Sequence, residues 1–191
     1  MSRSGTNESF EALYEGVAGA VYAWASLHLR PELRTQLEPE DVLQEVCCRA
    51  YARFEEYDPA RAPFRSWFFG IAHNVLREAF RNLARSRVRT GQPFQTSGQE
   101  LGTGWVDSLP DTATSITTRV ARDDQLKAFL RRVGLLPEED RKLLIYRGLE
   151  GLEHSHVGEL MDLTPESASK RWQRLRARLR DVGMPDDLAA A

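Results

Sequence analysis

The chain has 191 residues, of which 41% are hydrophobic and 28% are charged, and its formal net charge is −2. This composition is ordinary for a soluble globular protein, and the length is enough for one medium domain or two small ones. No apolar run reaches the roughly eighteen residues that a membrane span needs, and the N-terminus lacks a secretory signal. We therefore expect a cytoplasmic protein without membrane insertion.

Helical periodicity fills the first part of the chain, residues 8 to 88. An early helix is predicted from Ser9 to about Leu29. Apolar side chains then recur at every fourth position from Val42 to Phe54, and a second stripe runs from Ile71 to Leu83. These stripes predict two helices that each bury one face. No segment shows the alternation of a strand, so the predicted fold class is all-α.

Residues 89 to 118 differ from the flanking sequence in composition. They contain four glycines, two prolines and many serines and threonines, without sustained periodicity. Such a segment is typical of a linker. Two interpretations of Trp105 stay open, because this ring either packs locally or contacts a partner.

Helical periodicity returns from residue 119 to residue 183. Asp124 to Val133 predicts one helix, and a proline followed by three acidic residues predicts the start of the next. A short helix over residues 157 to 161 then leads into a tight turn. Thr164 and Pro165 have the residue types that favour the N-cap and first position of a longer final helix.

A short helix, a turn of about three residues and a longer helix form a helix-turn-helix pattern, whose second helix enters the DNA major groove. Ala168, Trp172 and Leu175 predict the buried stripe of this helix. A solvated surface is the alternative interpretation of its other face. Solvated faces usually mix signs, however, and no acid lies between Ser167 and Arg180. The polar and basic residues predicted to bind base edges and phosphates are Ser167, Ser169, Lys170, Arg171, Gln173 and Arg174.

Positive charge is concentrated in two blocks. Seven arginines and one acid lie between Arg61 and Arg89, and six basic residues and no acid lie between Lys170 and Arg180. Residues 32 to 58, in contrast, hold eight acids and three bases. This asymmetry predicts two sites for a polyanion and a separate acidic face for another partner.

No pattern for catalysis or for a cofactor is visible in the sequence. His154 and His156 have no third metal ligand at a fitting spacing, and neither a Ser/His/Asp set nor a phosphate-binding loop is present. Cys47 and Cys48 are adjacent, which prevents an ordinary structural disulfide between them. We predict no catalytic residue, no metal and no cofactor, and an enzyme is the least favoured class.

Three motifs, in order and at fitting spacing, resemble those of a bacterial RNA polymerase sigma factor of the extracytoplasmic-function (ECF) type. Asp41 to Val46 resembles the D-L-x-Q-E-x signature of sigma region 2.2. Phe64 to Asn74 resembles the F-x-x-W-L-x-x-I-A-x-N pattern of regions 2.3 and 2.4. Leu136 to Leu179 resembles region 4, with its L-P-x-x-x-R opening and its helix-turn-helix. Together these motifs cover nearly the whole chain.

The resemblance implies two small helical domains joined by a flexible linker. Region 2 would occupy residues 8 to 88, the linker residues 89 to 118, and region 4 residues 119 to 183. The sequence departs from the family's motifs at two places that bear on promoter preference. His73 stands where arginine is common, and the pair Ser169-Lys170 reverses the frequent Lys-Ser order.

By resemblance, the chain is a promoter-specificity subunit that binds core RNA polymerase and promoter DNA and does no covalent chemistry. Asp41, Gln44 and Glu45 would face the clamp coiled coil of the largest polymerase subunit. Their i, i+3, i+4 spacing puts them on one helix face, although a solvated acidic face is the alternative. An anti-sigma protein is a further partner that the resemblance suggests.

The loop from Tyr57 to Arg65 would, by resemblance, capture a flipped base of the −10 element, which requires stacking surface and polar edges. Trp67 and Phe68 have the spacing of a buried stripe, whereas Phe64 either faces DNA or pins the loop. The residues predicted to bind the −10 element are Arg61, Phe64, Arg65, Asn74, Arg77 and Arg81.

The alternative function is a helix-turn-helix transcriptional regulator that does not bind core polymerase. In that case residues 8 to 88 would form a ligand-binding or dimerisation domain. The acidic face with Asp41, Gln44 and Glu45 distinguishes the two functions, because only a sigma factor needs a docking surface for core polymerase.

Overall fold

The computed structural model describes residues 3–29, 34, 37–89, 109–185 and 188. Within these ranges every regular element is helical, which confirms the predicted all-α class. A 3₁₀ turn and a π-helix, Phe54–Glu56 and Leu144–Leu149, accompany the α-helices. None of the described helices combines the length and the apolar character needed to cross a bilayer. The α-helices are α1 (Arg3–His28), α2 (Pro39–Ala52), α3 (Phe64–Arg89), α4 (Asp111–Arg122), α5 (Asp124–Val133), α6 (Glu138–Leu143), α7 (His154–Met161) and α8 (Pro165–Asp181).

Helices α1, α2 and α3 pack together as an N-terminal bundle. Its core contains large side chains with no solvent exposure, among them Trp24, Leu43 and Phe68. Each such side chain stabilises the bundle by about 1.5–3 kcal/mol relative to an exposed position. Helix α2 starts at a capping box, in which the backbone N–H of Glu38 donates to the Asp41 carboxylate at 3.0 Å.

Helix α4 lies partly inside the segment 89–118 that the sequence predicts to be a linker, so the linker prediction is wrong at its C-terminal end. The helix buries Ala113 and Ile116 and packs against α1 and α2. Its threonines and serine are modest helix formers, so tertiary packing rather than local propensity stabilises it. Residues 90–108 of the predicted linker, with Trp105, lie outside the described residues.

Helices α5 to α8 form the C-terminal half. Helix α5 has the predicted bounds and is capped by the Asp123 carboxylate, which accepts from the backbone N–H groups of Gln125 and Leu126 at 2.8 and 3.1 Å. Helix α6 continues without a break into the π-helix, whose last turn closes with a bond from the Glu150 N–H to the Ile145 carbonyl oxygen at 2.9 Å. This wide turn directs the chain back toward the N-terminal bundle.

Candidate nucleic-acid and polymerase interfaces

The predicted polymerase-binding residues lie together on one face of α2. Asp41 and Gln44 are exposed and Glu45 is half-buried, while the opposite face of the helix packs into the bundle. Asp41 also accepts the cap bond described above, and Glu45 pairs with Arg49 at 2.7 Å. Arg49 in turn reaches Glu78 of α3 at 2.7 Å. Bonds within and between the two helices therefore orient Asp41 and Glu45 on this face.

The loop before α3 is supported from below by an aromatic cluster. Phe64 is only 7% exposed, and its ring centroid lies 5.4 to 5.5 Å from those of Tyr57, Trp67 and Phe68. Phe68 is fully buried, as predicted, whereas Trp67 is half-buried at the edge of the cluster. Burial places Phe64 under the loop, which favours the loop-pinning role over the predicted contact with DNA.

The polar residues predicted to meet the −10 element divide into two groups. Arg61, Asn74, Arg77 and Arg81 are exposed on the loop and on the outer face of α3. Arg65 is half-buried and donates to the carbonyl oxygen of Leu149, at the end of the π-helix. The exposed group forms a cationic track, whereas Arg65 is engaged by the C-terminal half of the same chain.

A buried carboxylate that the sequence did not single out lies beside this track. The Glu150 side chain is 8% exposed and accepts from the Trp24 indole N–H at 2.8 Å. Its second oxygen lies 3.3 Å from Nε2 of His73. Burial lowers the pKa of the neighbouring His28, and a hydrogen bond between Nδ1 and the Trp24 carbonyl oxygen opposes this shift. No local pattern signals the contact, because 126 positions separate Trp24 from Glu150.

The helix-turn-helix has the local chemistry that the sequence predicts. Asp162 takes the left-handed conformation, with φ 54° and ψ 48°, at the end of α7. The Thr164 hydroxyl then caps α8 by accepting from the Ser167 N–H at 3.2 Å. Gly158 is essential to the close approach of the turn, since a Cβ there would lie 2.5 Å from the Leu163 carbonyl oxygen.

The outer face of α8 presents most of the predicted DNA-binding side chains to solvent. Ser169 is half-buried, while Arg171 is half-buried and donates to the Asp140 carboxylate of α6 at 3.0 Å. Arg178 reaches the other oxygen of Asp140 at 3.1 Å. The sequence suggested only a helix-dipole role for Asp140, and its function as a tie to α8 was missed. The exposed members of the predicted set are Ser167, Lys170, Gln173 and Arg174.

Metal-binding chemistry finds no support among the described residues, where no group of three potential His, Cys, Asp or Glu ligands comes together. His154 and His156 lie at the start of α7, the first half-buried and the second exposed. Burial lowers the pKa of His154, and the nearby Arg147 adds to the effect.

Residues 13–86, which span most of α1 to α3, match the family Sigma-70 region 2. The ECF RNA polymerase sigma factor SigD of Mycobacterium tuberculosis is 24% identical over 178 residues, which cover 93% of this chain and 78% of SigD. The chain is thus similar to ECF-type RNA polymerase sigma factors. The sigma factor CnrH of Cupriavidus metallidurans is 24% identical to this chain over 144 residues, or 75% of this chain and 72% of CnrH.

A solved structure of CnrH in complex with the cytosolic domain of CnrY also matches this chain. The match covers 94% of this chain and 90% of the CnrH chain, at 22% identity and a TM-score of 0.38.

Proposed function

We propose that this chain is an ECF-type sigma factor that binds core RNA polymerase, directs it to promoters through their −10 and −35 elements, and promotes opening of the duplex. The observation that carries the proposal is the Sigma-70 region 2 match, which coincides with the bundle that bears both the acidic α2 face and the cationic α3 track. The chain would act as a transcription initiation factor. Its place of action would be the cytoplasm, where polymerase and chromosomal DNA are found.

The α2 face is the proposed contact with the polymerase clamp. Because Asp41 also caps α2, the cleaner test replaces Gln44 and Glu45 with alanine and leaves the cap intact. We expect at least a tenfold loss of affinity for core enzyme, measured by fluorescence anisotropy with a labelled sigma factor. Glu159→Ala removes an exposed acid from α7 and should bind core enzyme as the wild type does. Equal affinities of the two variants would remove this assignment.

The loop and the exposed face of α3 are the proposed site for the melted −10 strand. Single strands bind along cationic tracks with aromatic support, which matches Arg61, Arg77 and Arg81 above the Phe64 cluster. Asn74 is proposed to contact a base edge, and Phe64 to hold the loop without touching DNA. Replacing Arg77 and Arg81 with alanine should reduce the salt dependence of open-complex formation by about one unit of slope per lost phosphate contact.

The exposed face of α8 is the proposed reader of the −35 element. Alanine at Lys170 and Arg174 should remove protection of the upstream element in footprints of the holoenzyme, while protection near −10 persists. Each lost base or phosphate contact should weaken binding by about 1–3 kcal/mol. Loss of protection at the −10 side instead would contradict the two-site arrangement.

One experiment tests the proposed function against the alternative of a regulator that acts without core polymerase. The purified chain is mixed with core enzyme and genomic fragments, and run-off transcripts are sequenced. A sigma factor yields transcripts that depend on the added chain and share upstream sequences; a regulator yields none. An anti-sigma protein remains a proposed further partner, and affinity capture with the full chain is the way to identify it.

A further inference from the structure

The helix proposed to bind the −10 strand contains one acid whose place the DNA contact does not explain. Glu78 is the single acidic residue between Arg61 and Arg89, a segment with seven arginines. A carboxylate beside Arg77 and Arg81 repels the phosphates that these arginines are proposed to bind. The Glu78 carboxylate is instead engaged from the neighbouring helix α2, which points to a role outside DNA binding.

Arg49 of α2 holds two carboxylates at once, one from its own helix and one from α3. Its Nε donates to Oε1 of Glu45 at 2.7 Å, and its Nη1 donates to Oε2 of Glu78 at 2.7 Å. The guanidinium is planar and presents its N–H groups in a fixed fork, so the position of one carboxylate restricts that of the other. Glu78 therefore orients Glu45 through Arg49.

The pair between Arg49 and Glu45 would be weak without this anchor. The two residues lie one turn apart on α2, and a single pair at this spacing contributes little and leaves both long side chains free to change rotamer. Helices α2 and α3 pack against each other, so Glu78 reaches Arg49 from a fixed direction. Without Glu78, a partner that binds Glu45 would first have to order its side chain.

The bridge leaves Glu45 able to bind a partner. Arg49 contacts only Oε1 of this carboxylate, and the Glu45 side chain is still 28% exposed. Two carboxylates and one guanidinium sum to a charge of −1, so the face stays acidic. The arrangement thus presents an already oriented carboxylate beside the exposed Gln44, which suits a basic partner surface.

We propose that Arg49 and Glu78 are positioning residues for core RNA polymerase. Glu78 lies in the proposed DNA-binding helix but acts on the polymerase face, because it fixes Glu45 through Arg49. The inference rests on the proposed function of the α2 face and adds two residues on which the affinity of that face depends. A bridge that only stabilised the packing of α2 on α3 would act on affinity without any dependence on Glu45.

The test is a double-mutant cycle on affinity for core enzyme, measured by fluorescence anisotropy with the full-length chain. Glu78→Ala should weaken binding about fivefold, because Glu45 is no longer held. In the Glu45→Ala background the same substitution should change affinity by less than about 1.5-fold, because the group that Glu78 orients is gone. Glu55→Ala removes an exposed acid from the 3₁₀ turn after α2 and should leave affinity unchanged in both backgrounds.

A second variant separates orientation from charge. Arg49→Lys keeps the positive charge but not the fork that holds two carboxylates, so it should weaken binding about threefold, and only where Glu45 is present. If circular dichroism shows that Glu78→Ala does not fold, Glu78→Gln takes its place in the cycle. The amide keeps an acceptor for Arg49 but loses the charge, so a loss of about twofold is expected, again only where Glu45 is present.

Equal losses from the Glu78 substitution in both backgrounds, or no loss in the background that retains Glu45, would overturn the proposal. Failure of the wild type to bind core enzyme would instead overturn the proposed function, which separates the two failures.

Discussion

The two proposed DNA-binding faces of this molecule are built differently. The −10 face rests on a cluster of buried aromatic rings, and one of its arginines, Arg65, donates to the Leu149 carbonyl oxygen in the other half of the chain. The −35 face is the outer surface of a single helix, α8, and most of its polar side chains are open to solvent. One face is assembled from distant segments, while the other is local.

The difference follows from what each face has to recognise. A duplex keeps its shape, so a rigid helix with outward-facing cations and amides is sufficient. An unstacked strand offers exposed bases, so its binding site needs aromatic rings for stacking. Those rings must be held in position by packing against the core. The comparison predicts that substitutions impair the −10 side by disturbing core packing. Substitutions should impair the −35 side by disturbing caps, turns and ion pairs.

The largest expected effect comes from breaking the aromatic support. Phe68 has no exposed surface, and its ring lies 5.4 Å from that of Phe64 and 5.7 Å from that of Tyr14. Phe68→Ala should lower the free energy of unfolding by about 3–5 kcal/mol, measured by urea denaturation. Leu135, 87% exposed, is the control, and its alanine variant should change stability by less than about 0.5 kcal/mol. Similar values for both would show that the cluster is not tightly packed.

Alanine substitution at two glycines, one in each half, is expected to change stability in opposite directions. Gly158→Ala places a Cβ 2.5 Å from the Leu163 carbonyl oxygen and should destabilise the helix-turn-helix by about 2–3 kcal/mol. Gly70 in α3 has open space around it, so Gly70→Ala should stabilise the chain by up to about 1 kcal/mol through better helix propensity. Thermal unfolding of both variants tests the contrast, and shifts of the same sign would contradict it.

A smaller effect is expected from the tie between α6 and α8. Asp140→Asn removes the carboxylate shared by Arg171 and Arg178 and should cost about 1–2 kcal/mol of stability. It should also weaken −35 binding, because Arg171 loses the group that orients it. Glu138→Gln breaks an exposed pair with Lys142 and should cost less than about 0.5 kcal/mol. Equal effects in urea denaturation and in upstream footprints would rule out an orienting role for Asp140.

The smallest effect concerns pH and the bundle core. Burial raises the pKa of the Cys47 thiol from 9.0 to about 12. The unfolded thiol therefore loses its proton first, and stability that is complete below pH 9 falls as pH rises toward 12. Burial also raises the pKa of the neighbouring Tyr14, which acts in the same direction. The urea midpoint should fall less between pH 8 and pH 10.5 in Cys47→Ala than in the wild type. An equal fall in the two proteins would contradict this prediction.

Sequence reasoning succeeded where the determinants are local. The bounds of α5, the tight turn after α7 and the Thr164 cap all depend on residues within a few positions of each other. It failed for α4, whose threonine-rich sequence becomes helical through packing on α1 and α2. It also missed Asp140 and Glu150, because their partners lie 31 and 126 positions away and no spacing rule connects them.

The number of residues in the π-helix from Leu144 to Leu149, and not only their identity, decides which side chain faces Trp24. A π-turn contains one residue more than an α-turn, so it advances the following side chains by one place around the helix. Deleting a single residue there would restore an ordinary α-helix and turn a different side chain toward Trp24. One insertion or deletion in this segment would therefore change which side chain reaches Trp24, without a substitution at any other position.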